Sequence, residues 1–124
     1  MNRNALVVDD FKSIRLVVSN VLTKEGFIVT MAEDGLDALR FLDGKIKYDL
    51  IISDVDMPNI DGISLLKEIR KNPYYKDVPV VLLTTNTLER KQEEVQGLKI
   101  DAWIKKPFEF IKFKEIIKTL TQNK

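Results

Sequence analysis

The strongest constraint on this chain is an alternation. Short continuous apolar runs trade places with stretches whose apolar residues recur every three or four positions. The runs lie at about 5–8, 27–31, 49–53, 80–83 and 101–105. Continuous apolar runs this short read as strands buried on both faces, and the helical stretches between them make successive strands parallel with right-handed crossovers. The pattern predicts an α/β fold: one doubly wound (βα)5 three-layer sandwich around a five-stranded parallel sheet. All strand C-terminal ends then lie on one edge, where ligands of such sheets bind. Asp9 and Asp10 follow the first run, Asp54 the third, Thr84 the fourth, and Lys106 the fifth. Three carboxylates, a hydroxyl and an ammonium should therefore meet in one pocket, although 97 positions separate Asp9 from Lys106.

Composition narrows the chemistry available to that pocket. Lys and Arg (20) nearly cancel Asp and Glu (19), and a net charge of +1 gives no global reason to bind nucleic acid or a membrane. The apolar runs are far too short to span a bilayer. Met1-Asn2-Arg3-Asn4 leads directly into a strand, so no signal peptide is expected and the expected location is cytoplasmic. There is no cysteine, which excludes disulfides and zinc–sulfur sites. There is no histidine either, which removes the commonest general base and metal ligand. Any metal must be held by oxygen, which favours Mg²⁺, Ca²⁺ or Mn²⁺.

Between the strands, Ile14, Val17, Val18, Val21 and Leu22 predict a helix over about 12–25, closed by Gly26. A short helix from Gly35 to about Asp43 should bury Leu36, Leu39 and Leu42. Asn59 to Gly62 form a turn before a helix with Ile63, Leu66 and Ile69, which Asn72-Pro73 ends. The segment 88–98 is a weaker helix, anchored by Leu88, Val95 and Leu98 alone, and so a candidate moving part. The last helix, about 109–121, carries Phe110, Phe113, Ile116, Ile117 and Leu120. No repeat or linker divides the chain, so 1–124 reads as one domain.

Adjacent carboxylates repel unless a cation offsets them. Asp9, Asp10 and Asp54 make a hard anionic pocket suited to Mg²⁺, which takes one or two carboxylates plus a phosphate and keeps several waters. Asp54 is the candidate nucleophile, since a carboxylate can attack a phosphoryl group to form an acyl phosphate. Lys106 can neutralise the transferring oxygens, and Thr84 can donate a hydroxyl hydrogen bond to one of them. Each residue also has an ordinary explanation: a helix N-cap at Asp9-Asp10, a strand-end threonine, a solvated lysine. Their coincidence at four strand ends favours the chemical one. Pro107 biases Lys106 toward extended geometry and makes the Lys106–Pro107 bond a cis candidate.

Leu6-Val7-Val8-Asp9-Asp10, then Asp54 followed by Met57-Pro58-Asn59-Ile60-Asp61-Gly62, then Thr84, then Lys106-Pro107-Phe108 resembles the receiver domain of two-component response regulators. The likeness runs over about 4–121, and Phe11 together with Met57 through Arg70 is most similar to single-domain chemotaxis regulators of the CheY type. The resemblance implies a sheet order of 2-1-3-4-5 and a role for each site residue. Asp54 would be phosphorylated. Asp10, Asp54 and the backbone carbonyl of Asp56 would bind Mg²⁺ directly, with Asp9 acting through water. Lys106 and Thr84 would contact the phosphoryl group, Thr84 being the switch hydroxyl and Trp103 the switch aromatic. By the period-two rule Trp103 and Lys105 share a face while Ile104 points to the core. Three positions depart from the family pattern. Asp56 and Asn86 flank the pocket and should modulate reaction rates. Lys99 stands where a glycine often closes the fourth helix, and a left-handed cap there would cost about 1 kcal/mol.

The implied function is a phosphoacceptor signalling switch rather than an enzyme. A histidine kinase, or a small acyl phosphate, would supply the phosphoryl group, because the chain has no histidine to carry one. The face made by helix 88–98, strand 101–105 and helix 109–121 would bind a target protein, and the protein would be a monomer. The first expectation is a chemotaxis regulator acting on the flagellar motor, since little chain follows the last helix to serve as a DNA-binding module. A phosphorelay or stand-alone receiver in another pathway is the alternative. From other classes, Asp54-Val55-Asp56 also fits a small haloacid-dehalogenase-type phosphatase, which the Asp9-Asp10 pair and the short chain oppose. A flavodoxin-like electron carrier would share the fold, but the acidic loop after the first strand would repel a flavin phosphate.

Overall fold

The computed structural model describes residues 3–85 and 95–121. Five strands, β1 (Arg3–Val8), β2 (Phe27–Ala32), β3 (Leu50–Asp54), β4 (Val80–Thr84) and β5 (Ala102–Lys105), form one parallel sheet in the order β2-β1-β3-β4-β5. Four helices accompany them among the described residues: α1 (Lys12–Lys24), α2 (Gly35–Leu39), α3 (Gly62–Lys71) and α4 (Phe110–Thr121). The order reverses at β1, so the chain leaving β1 crosses to one edge of the sheet and the chain leaving β3 to the other, which opens a crevice over the ends of β1 and β3.

The pleat divides each central strand between two cores. Leu6, Val8, Ile51, Val80 and Leu82 point to one side, where Ile63, Leu66 and Ile69 of α3 cover them. Ala5, Val7, Ile52, Val81 and Leu83 point to the other, where Val18 and Leu22 of α1 and Phe113 and Ile117 of α4 pack. Burying a side chain of this size stabilises by about 1.5–3 kcal/mol, and both faces of β1, β3 and β4 gain it. That double burial is why their sequences are continuously apolar rather than alternating.

Several boundaries differ from the sequence expectation. Helix α2 stops at Leu39 instead of about Asp43, and Leu36 is 57% exposed rather than buried. The early end of the helix has its cause in the turn after α3. Asn72 Nδ2 donates to Leu42 O (3.1 Å), and the Tyr75 hydroxyl accepts from Gly44 N (2.9 Å) and donates to Ile46 O (2.7 Å). Backbone groups given these partners no longer need a helical ladder. Phe110 begins α4 but stays largely exposed. Most of the expected 88–98 helix lies outside the described residues. At its end the left-handed residue is Gly97 (φ 81°), two positions before Lys99, which lies on the ordinary side of φ. Glycine has no Cβ to clash at positive φ, so the expected cost at Lys99 does not arise.

Candidate functional site

Asp9 continues β1 by one residue, its N–H bonding Ala32 O of β2 (3.2 Å). Its Oδ1 accepts the Phe11 N–H (2.9 Å), and Arg15 Nη1 donates to its backbone carbonyl (2.7 Å). The N-cap of α1 is Phe11, with no side-chain cap, so Asp9 and Asp10 are not serving the helix in that way. Asp54 is the last residue of β3 and is 2% exposed. It is fixed from behind: Val55 N donates to Leu83 O (2.8 Å), and Gly62 N donates to Val55 O (2.9 Å). A Cβ on Gly62 would collide with the Asp54 carbonyl oxygen, so only glycine lets α3 start this close beneath the site.

Lys106 arrives from the far edge. Its N–H bonds Thr84 O (2.8 Å), and the peptide to Pro107 is cis. Its Nζ lies 3.1 Å from Asp9 Oδ2 and 3.2 Å from Asp54 Oδ1, with all three side chains nearly buried. Asp9, Asp10 and Asp54 each offer a carboxylate oxygen within 4.8 Å of the others. One ammonium therefore pairs with two carboxylates, and a third, Asp10, lies beside them. Burial, the Asp9 carboxylate and more distantly Asp10 push the Asp54 carboxyl up to about 6, although Lys106 pulls the other way. The uncompensated negative charge, the all-oxygen donor set and the close convergence fit a divalent cation such as Mg²⁺.

The remaining residues ring this centre. Thr84, fully buried at the end of β4, and Thr85 both aim their hydroxyls at Asp56 Oδ2, at 3.4 and 3.3 Å. Trp103 pairs in register with Leu82 and packs against the core covered by α3 together with Val95, Leu98 and Ile100. Its indole Nε1 is buried with no hydrogen-bond partner among the described residues. Ile104 is buried on the opposite face and Lys105 is exposed. Asn86 lies outside the described residues.

Sequence reasoning missed two features. Thr85 joins the pocket, which its position after Thr84 could have suggested. Arg70 is the second, and its partners are 6 to 31 positions away, beyond any local signal. Its guanidinium donates to Lys99 O (3.1 and 2.9 Å), Lys76 O (3.1 Å), Val78 O (2.7 Å) and Asp101 Oδ2 (3.3 Å). Asp101 Oδ2 in turn accepts Val80 N (2.8 Å), so α3, β4 and the approach to β5 are tied together.

Comparison with known proteins agrees with this geometry. A model of the response regulator receiver domain family matches residues 5–118. Chemotaxis protein CheY-3 of Vibrio cholerae is 37% identical over 115 residues, covering 92% of this chain and 88% of that protein. The crystal structure of the chemotaxis protein CheY4 of Vibrio cholerae superposes with a TM-score of 0.88 at 35% identity, covering 97% of this chain and 99% of the other. The response regulator TrrA of Thermotoga maritima, solved in complex with Mg²⁺ and beryllofluoride, superposes with a TM-score of 0.80 at 37% identity, covering 95% and 98%.

Proposed function

Because this chain belongs to the response regulator receiver domain family, we propose that it is a phosphoacceptor switch of a two-component system in which Asp54 receives the phosphoryl group. One observation carries this reading: Lys106 Nζ sits between the carboxylates of Asp9 and Asp54 at the ends of β1 and β3, 3.1 and 3.2 Å away. A carboxylate whose proton affinity is raised to about pH 6 is still ionised at neutral pH and is more basic than an ordinary aspartate. It attacks phosphorus of a phosphoimidazole or acyl phosphate. The bond from phosphorus to the donor breaks, the donor keeps the electron pair, and an acyl phosphate forms on Asp54. Lys106 then faces the new anionic oxygens, and Thr84 can give one of them its hydroxyl proton in a hydrogen bond.

Asp10, Asp54 and the Asp56 carbonyl are the residues that would hold Mg²⁺, with Asp9 behind a water, and Mn²⁺ would suit the same oxygens. When bound, the cation neutralises charge on the transferring phosphoryl oxygens. We read 1–124 as one receiver unit in the cytoplasm. No helix among the described residues is long and apolar enough to cross a membrane, and the near-neutral charge gives nucleic acid no purchase.

A histidine kinase is the proposed donor. The target would dock on the face that includes β5 and α4, and Trp103 would report the change beneath it. Similarity to a chemotaxis protein over 92% of the chain favours a chemotaxis regulator acting on the flagellar motor over a phosphorelay or stand-alone receiver. The family match over 5–118 leaves the phosphatase and flavin-carrier readings without support.

Incubation with Mg²⁺ and acetyl phosphate should add the mass of one phosphoryl group, and Asp54→Asn should abolish the addition. Labelling that persists in the variant would move the site elsewhere. Capture of a flagellar switch protein from motile-cell extract, enhanced by Mg²⁺ and beryllofluoride, is the expected result for chemotaxis. Capture of a histidine-containing relay protein alone would place the chain in a phosphorelay.

A further inference from the structure

We propose that the Asp56 side chain is a latch: it holds the Thr84 hydroxyl in the resting conformation, and a phosphoryl group on Asp54 must take that hydroxyl away. This inference rests on the phosphoacceptor reading and adds to it a residue that acts through another.

The argument is one of competing acceptors. A hydroxyl has a single proton to donate. Thr84 Oγ1 lies 3.4 Å from Asp56 Oδ2, and Thr85 Oγ1 lies 3.3 Å from the same oxygen. Two hydroxyls from the end of β4 thus converge on one oxygen of the loop after β3. An ionised carboxylate can only accept, so both hydroxyls must donate, and the contact is charge-assisted. A proton spent on Asp56 is not available to a phosphoryl oxygen on Asp54.

The surroundings make the choice discrete. Thr84 is 0% exposed. Its backbone is held in the sheet, with its carbonyl accepting Lys106 N (2.8 Å). The side chain is β-branched, so the hydroxyl moves between separate χ1 wells rather than drifting. Both contacts are longer than the usual O–H···O distance of about 2.8 Å. A weak latch suits a switch, because a new acceptor close at hand can overcome it. Asp56 itself is exposed at the pocket mouth. Its side chain can therefore be removed while its backbone carbonyl stays in place.

The test is a double-mutant cycle on the full chain: wild type, Asp56→Ala, Thr84→Val and the double variant. Each is titrated with beryllofluoride in Mg²⁺ by calorimetry. Asp56→Ala should tighten mimic binding for two reasons, release of the hydroxyl and loss of a negative charge near an anionic ligand. In the Thr84→Val background the Thr84 hydroxyl no longer contributes, and the charge of Asp56 and its other contacts, Thr85 among them, are common to both arms of the cycle. The gain with Thr84 present should exceed the gain with valine there by about two- to five-fold, the range of one modest hydrogen bond. Asp56→Asn keeps an acceptor while losing the charge, so its gain should match the charge-only value. Equal gains in the two backgrounds, or an asparagine variant that equals alanine when Thr84 is present, would overturn the latch. Failure of the wild type to bind the mimic at all would overturn the phosphoacceptor reading, and the latch with it.

Discussion

Replacing Asp54 by asparagine should stabilise the metal-free protein at neutral pH. Three carboxylates and one ammonium share the pocket, and Asp54 pays for the imbalance: its carboxyl is raised from 3.8 to about 6. At 1.36 kcal/mol for each tenfold change in proton affinity, keeping it ionised in the folded state costs about 3 kcal/mol. Water at the pocket mouth screens part of this, and asparagine gives Lys106 a weaker acceptor than a carboxylate. The net gain is therefore about 1–2 kcal/mol at pH 7.5. The sign with pH follows from linkage. A carboxyl raised in the folded state favours folding below its unfolded value, and that stability is lost as pH climbs from about 4 through 6. The difference between Asp54→Asn and wild type should therefore be small near pH 4 and largest above pH 7. Urea unfolding followed by circular dichroism in EDTA, at both pH values, measures it. Mg²⁺ should reverse the order, since a ligand at a hundred times its dissociation constant stabilises by about 2.7 kcal/mol and the variant lacks one ligand. A variant less stable than wild type in EDTA at pH 7.5, or a difference that ignores pH, would refute the account of charge in this pocket.

The other predictions use the same unfolding assay. Lys106→Met leaves the carboxylates of Asp9 and Asp54 without their shared cation and should cost about 3 kcal/mol in EDTA, with Mg²⁺ restoring part of it. Gly62→Ala puts a Cβ against the Asp54 carbonyl and 2.8 Å from Val55 Cα; it should cost about 1–3 kcal/mol and weaken beryllofluoride binding by displacing the end of β3. Arg70→Met leaves Asp101, whose side chain is only 13% exposed, with the Val80 N–H and the more distant Lys99 ammonium at 3.9 Å, and should cost about 2–3 kcal/mol, with the second change Asp101→Asn recovering part of the loss. Beryllofluoride with Mg²⁺ should change the emission of Trp103, whose indole N–H has no partner among the described residues, and an unchanged spectrum at saturation would show that the aromatic is not coupled to the site.

Much of the fold was legible because strands buried on both faces must be continuously apolar. That one requirement marks β1, β3 and β4 and places Asp9, Asp54 and Thr84 at their shared C-terminal edge, to which the less buried β5 adds Lys106. What misled was local reasoning about ends. Leu36 fits the helical period yet is exposed inside α2, and that helix ends at Leu39. The family pattern points to Lys99 as the cap, but Gly97 takes the positive φ.

By itself the sequence determined the periodicities, and with them the parallel sheet and the order in which polar groups reach its edge, since burial and hydrogen bonding within an element act over a few residues. Only the tertiary structure decided which groups hold one another. Asn72 and Tyr75 draw the 42–46 backbone out of helix, Arg70 gathers three carbonyls from two segments, and Asp56 reaches across to Thr84 and Thr85. Those partners lie 6 to 31 positions apart, and a hydrogen bond depends on a few tenths of an ångström that packing sets and spacing along the chain does not.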